Sequence, residues 1–126
     1  MTREDVNTFE KVQTQLEGLH IEISTLSKKS QNDALNKFKL KFVNQIMSDS
    51  NKLLGEKYKP FSDFDIFDET EMPTTSDVAM MLMQYLGCFE KLRADNIRRD
   101  TGQWYWVIDG ITSKIKTAMP KKIKEK

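Results

Sequence analysis

The chain holds one cysteine, one histidine, five glycines and three prolines in 126 residues. A single Cys88 cannot form an internal disulfide, and one cysteine with one histidine cannot build a zinc finger or a His-rich metal cage. Neither GxGxxG nor GxxxxGK-S/T occurs, so the common glycine-rich phosphate cradles are missing. Apolar runs are short too. The longest, Val78 to Met83, has six residues, where a membrane-spanning helix needs about 20. Net charge is also scarce: 20 basic and 19 acidic residues leave +1. That balance excludes a histone-like polycation or an acidic nucleic-acid mimic for the chain as a whole.

A chain of this length buries roughly two-thirds of the surface its unfolded form exposes, so it needs no disulfide or metal to fold. The opening MTREDVN carries two acids and no apolar stretch, so no secretory leader is expected. A lone cysteine suits a reducing compartment. The expected setting is cytoplasmic, with no cofactor, metal or membrane.

Charge is present but uneven. Residues 1–54 carry eight basic and seven acidic groups, residues 55–90 two and eight, and residues 91–126 ten and four. An acidic middle thus precedes a basic end. Such blocks dock on each other, on a second copy or on an oppositely charged partner, or they are simply solvated.

Three segments carry a helical period. Phe9, Val12, Leu16, Leu19, Ile23 and Leu26 alternate steps of three and four, which keeps one seam along a helix. Thr2 stands three residues before Asp5 as a loose capping box, with Glu4 and Asp5 where the helix dipole favours acids. The seam is short and flanked by few charges, so it predicts a bundle helix rather than a long coiled coil. Ile21 lies off it. Residues 27–33 read as a connection, with Ser30 or Asn32 capping a second helix. There Leu35, Phe38, Phe42 and Ile46 share a face, Val43 and Met47 lie beside them, and Gly55 supplies the stop. Residues 37–42 alternate like a strand, but no Gly or Pro interrupts residues 27–54, which favours helix. Ser76 is the expected cap of a third helix, with a seam of Val78, Leu82, Tyr85, Phe89 and Leu92. Ala79, Met80, Met81, Met83 and Leu86 cover most of its remaining circumference, the mark of a central helix.

Residues 97–117 admit two readings. As strands, Ile97 to Arg99 pairs across Asp100-Thr101-Gly102 with Gln103 to Ile108, and Asp109-Gly110 marks a second hairpin. As a helix over about 102–118, Trp104, Ile108, Ile111 and Ile115 share a face, with Gly110 costing about 1 kcal/mol. Two turn signals and the β-rich Trp104-Tyr105-Trp106 run favour strands. The expected fold is therefore mainly α: a three-helix bundle-like core with a C-terminal β-hairpin and a basic tail. All-α with a fourth helix is the alternative. One globular domain over 1–119 would precede a disordered basic tail at 120–126. The order helix, Asn96 to Arg99, turn and aromatic strand resembles the end of a winged helix over about a quarter of the chain. The short second helix that should precede a recognition helix is missing.

Phe61, Phe64 and Phe67 recur every third residue among Asp63, Asp65, Asp68, Glu69 and Glu71. A helical turn there could bury three rings and expose the acids. This is no calcium loop: counted from Asp63, position 6 is Asp68 rather than Gly and position 12 is Thr74 rather than a bidentate Glu. Phe61, Asp63, Phe64, Asp65, Phe67 and Asp68 form a candidate docking segment, against the plainer reading of a core-anchored crossover. His20 and Cys88 could pair as base and nucleophile, but Cys88 sits in a helix interior, and a buried small side chain is the stronger reading. Met80, Met81 and Met83 could re-pack around a partner, though core filling also accounts for them.

The basic, aromatic end offers a second candidate. Arg98, Arg99, Lys114, Lys116, Lys121, Lys122, Lys124 and Lys126 could neutralise phosphates, while Trp104 and Trp106 could stack on unpaired bases. The competing reading is a Trp-anchored core hairpin with a solubilising tail. Two functions are expected from these residues. One is a non-enzymatic interaction module (adaptor, accessory subunit or regulator) that docks on another protein or a second copy of itself. The other is a nucleic-acid-binding accessory protein. An enzyme comes third.

Overall fold

The computed structural model describes residues 1–121, so Lys122, Lys124 and Lys126 of the expected tail lie outside the described residues. Three helices, α1 (Arg3–Ser30), α2 (Lys37–Tyr58) and α3 (Thr75–Asp95), pack together. An antiparallel sheet follows, with β1 (Ile97–Asp100), β2 (Gln103–Ile108) and β3 (Ile111–Thr117) in the order β1-β2-β3. The fold is mainly α, and strands take the place of the alternative fourth helix. Between α1 and α3 stand the 22-residue α2 and one 3-10 turn at Glu69–Glu71, not the short α-helix of the winged-helix kind.

Local chemistry sets the helix ends. Thr2 Oγ1 accepts from the Asp5 N–H at 3.0 Å while Asp5 Oδ2 accepts from the Thr2 N–H at 3.0 Å, completing the capping box. α1 runs on through Ser30, so most of the expected connection is helix; the α2 cap moves downstream and the α3 cap upstream. Asn36, not Ser30 or Asn32, accepts from the Lys39 N–H at 2.8 Å. Thr74, not Ser76, accepts from the Asp77 N–H at 3.2 Å. Tertiary bonds decide this. Thr75 Oγ1 donates to the Ser30 carbonyl at 2.8 Å, the Ser76 N–H to Gln31 at 3.2 Å and the Thr75 N–H to Asp33 at 2.9 Å. The carbonyls of Ser30, at the end of α1, and of Gln31 and Asp33 just beyond it are thus satisfied by the start of α3. Gly55, at φ +63°, breaks α2 one turn before its end, a left-handed geometry that favours glycine.

Val6, Phe9, Val12, Leu16 and Ile23 of α1 meet Val78, Leu82, Tyr85, Phe89 and Leu92 of α3 in the core. α2 supplies Leu40, Val43, Met47 and Leu54. This differs from the expected α2 face: Leu35 is buried, but Phe38 and Phe42 are exposed. The sheet closes one end. Its anchor is Trp106, whose ring meets Phe9 edge-on at 4.9 Å, while Phe9 stacks on Phe89 at 5.1 Å. The Trp106 indole N–H donates to Glu10 Oε1 at 3.1 Å. Both turns place consecutive residues at positive φ, Thr101-Gly102 and Asp109-Gly110, the geometry that two-residue hairpins demand.

Two tyrosines tie α2 to α3. Tyr58 donates to Asp95 Oδ2 and Tyr85 to Asn51 Oδ1, each at 2.6 Å. The hydrogen bond to the Asp95 carboxylate, helped by burial, raises the Tyr58 phenol to about 12. Burial raises Tyr85 to about 12 as well. Because both folded values exceed the unfolded value near 10, their stabilisation is intact below about pH 10 and lost as pH rises toward 12. The urea midpoint should therefore fall across that window, and Tyr58→Phe should flatten part of the fall. A midpoint constant from pH 9.5 to about 12 would contradict this linkage.

Candidate interaction surfaces

The acidic crossover is stitched to α2 by its backbone. Asn44 donates to the Phe67 carbonyl and accepts from the Phe67 N–H, both at 3.0 Å, and Asn51 donates to the Asp65 carbonyl at 2.8 Å. Phe64 and Phe67 are half-buried and meet edge-on at 5.1 Å. The expected turn burying three rings does not form. Phe61 stays 42% exposed and Ile66 49%, because residues 61–67 are irregular and the 3-10 turn comes later, at Glu69–Glu71. Asp68 caps that turn, accepting from the Thr70 hydroxyl at 2.6 Å and N–H at 2.8 Å, which lowers its carboxyl below the ordinary value. Asp65 pairs with Lys59. Of the six candidate docking residues, Phe64 and Phe67 thus face inward, Asp65 and Asp68 are engaged locally, and Phe61 and Asp63 remain exposed. Sequence reasoning missed Asn44 and Asn51, two turns apart on α2, as the clamps of this loop.

A second surface lies on α2 itself. Phe38, Phe42, Ile46 and Leu53, at steps of four, four and seven, form an apolar stripe beside the core stripe of Leu40, Val43, Met47 and Leu54. Phe38 and Phe42 are its exposed part, while Ile46 and Leu53 are half-buried and pack against the core edge. Phe38 is 72% exposed and Phe42 40%, their rings edge-on at 5.0 Å. Beside the stripe runs a groove of about 530 Å³ between α1 and α2. Phe42, Ile46, Leu53 and Val12 line it with the acids Glu4, Asp5 and Asp49 and the bases Lys11 and Lys52. At the other end of the stripe, Lys37, Lys39 and Lys41 stand in the first turns of α2 with no acid among them. Glu22 holds Lys39 at 3.2 Å.

The third surface is the outer face of the sheet. β2 puts Trp104 and Trp106 on the helix-facing side, and Trp106 is fully buried, so it is no stacking platform for a base. Strand alternation turns Tyr105 outward. Tyr105 lies opposite Arg98 of β1 and Lys116 of β3, forming a basic-aromatic-basic row. Arg98 also donates to Thr112 Oγ1 at 3.0 Å. Lys114 is exposed nearby on β3, whereas Arg99 shares the register position of the half-buried Trp104. Lys121 lies apart, 3.9 Å from Glu90 Oε1. Tyr105 was the residue to choose: once one Trp of the run is core, its i+2 neighbour turns inward too, and the residue between them faces out.

Other chemistry is sparse among the described residues. Cys88 is half-buried, and burial pushes its thiol up, which lowers the nucleophilic thiolate fraction. His20 is half-buried on α1. Among the described residues, no three His, Cys, Asp or Glu side chains cluster to hold a metal, and no helix is long and apolar enough to cross a membrane. Met81 is core, while Met80 and Met83 are exposed on α3. Comparison with family models, with curated proteins and with solved structures finds no significant match to this chain.

Proposed function

We propose that the chain is a non-enzymatic interaction module, an adaptor or accessory subunit of the cytoplasm, which docks on another protein through the outer stripe of α2. Phe38 carries this reading. A ring 72% exposed, continued by Phe42 into a groove, has no role in the core of this fold. Scattered apolar residues on a surface are ordinary, but a contiguous stripe at helical spacing beside a groove is the form that helix-in-groove recognition takes. A photoreactive benzoylphenylalanine at position 38, in the cell that makes this protein, should give protein adducts. The same probe at Ile21, equally exposed on the back of α1, should give none. Adducts absent from position 38, or equal at both positions, would count against docking there.

The Arg98–Tyr105–Lys116 row favours a second reading, a single-strand nucleic-acid surface on the outer sheet face. Basic groups would neutralise phosphates and the ring would stack on a base. Three neutralised phosphates, from Arg98, Lys114 and Lys116, give a log–log salt slope of roughly 2 for a single strand. Tyr105→Ala should weaken single-strand binding without changing that slope much. No binding of oligonucleotide at about 50 mM salt would remove this reading and leave the first intact.

A further inference from the structure

We infer that the occupant of the α2 stripe is a second copy of this chain, docked about a two-fold axis beside Gln45 with the two α2 helices antiparallel. This rests on the docking reading above and adds the partner. In such a pair, residues equally far from Gln45 on opposite sides face each other. Lys41 and Asp49 each lie four residues from Gln45, about 6 Å along the helix. Lys41 of each copy therefore meets Asp49 of the other, and the pairing occurs twice, as an isologous interface requires. Neither side chain has an opposite charge paired with it among the described residues.

The apolar groups fall into the same register. Phe38 lies seven residues before Gln45 and Leu53 eight after it, so the exposed ring of one copy arrives at the Leu53 end of the other's groove. Val12, Ile46 and Leu53 supply apolar lining there. Each copy offers one knob and one hole. The dipole of α2 points the same way: its first turn carries no acid, an arrangement that leaves the helix N-terminus without its favourable charge. In the antiparallel pair, Glu4 and Asp5 at the groove end of one copy come beside Lys37 and Lys41 of the other. The groove end carries Glu4, Asp5 and Asp49 against Lys11 and Lys52, a small acidic excess, while the other end carries Lys37, Lys39 and Lys41 with no acid among them. The two ends therefore attract only when the stripe is reversed, as a two-fold axis reverses it.

Sedimentation velocity of the full chain from about 1 μM to about 500 μM tests this, with thermal melts confirming that each variant folds. The wild type should show a concentration-dependent dimer. Phe38→Ser should weaken it roughly thirty-fold or more, the loss typical of a central aromatic anchor. Ile21→Ser should leave it unchanged. Lys41→Asp and Asp49→Lys should each weaken it roughly ten-fold by setting like charges opposite each other. The double variant Lys41→Asp/Asp49→Lys should restore the affinity to within a few-fold. A wild type that stays monomeric throughout, or a double variant as weak as the singles, overturns the two-fold arrangement. Monomer together with position-38 adducts to a different protein would overturn this inference and keep the docking reading. Monomer without adducts would overturn both.

Discussion

Replacing Trp106 by alanine should destabilise the protein by roughly 3–5 kcal/mol, the range for removing a large aromatic from a packed core. The indole is fully buried, meets Phe9 edge-on and donates to Glu10. Among the described residues it is the one fully buried side chain of the sheet, with Ile97, Ile108 and Ile115 only partly buried against the core, so its loss removes the central contact between sheet and helices. Domains of this size are stable by about 5–15 kcal/mol, and the variant should therefore melt roughly 9–25 °C lower, at roughly 3–5 °C per kcal/mol. Trp104→Ala on the same face should cost clearly less, because Trp104 is half-buried. Equal effects of the two substitutions in urea unfolding would mean that the sheet is not anchored through Trp106.

Glu90→Ala should cost a comparable amount, about 3–5 kcal/mol, for an electrostatic reason. Glu90 accepts from Gln13 Nε2 at 2.9 Å and pairs with Arg93, whose side chain is 8% exposed. Among the described residues, Arg93 Nε is already buried without a hydrogen-bond partner. Deleting the carboxylate would leave a guanidinium shielded from water and without its countercharge. Replacing both residues together by leucine should recover most of the loss, since a buried ion pair often stabilises no more than apolar groups of similar volume. Urea midpoints of the single and double variants measure this. A double variant as unstable as Glu90→Ala would show that the pair does more than satisfy itself.

The helices and hairpins were legible because each obeys one local rule. α1 buries a single seam, so its 3-4 spacing reads without ambiguity. The two turns carry Gly102 and Gly110 where positive φ is required. α2 was misread because two apolar stripes interleave on it. Phe38, Phe42 and Ile46 are larger and more regular in sequence than Leu40, Val43 and Met47, and buried Asn44 and Ser50 disguise the inward face. Asn44 is inward because the crossover backbone needs its amide. The caps at Asn36 and Thr74 were missed for a related reason: hydrogen bonds between the α1–α2 link and the start of α3 fix where those helices begin. On the sheet, composition pointed to the tryptophans, while period-two alternation assigns the outer face to Tyr105.

On the docking reading, α2 carries one apolar face for folding and another for a partner. Urea unfolding of Phe38→Ser beside Met47→Ala, at low micromolar concentration where association adds little stability, tests it most directly. Met47 is fully buried, and its truncation should cost roughly 2–5 kcal/mol. Phe38→Ser should stay within about 0.5 kcal/mol of the wild type, as a surface substitution does. A loss of about 2 kcal/mol or more for Phe38→Ser would make its ring part of the fold and leave α2 without a face to spare for a partner.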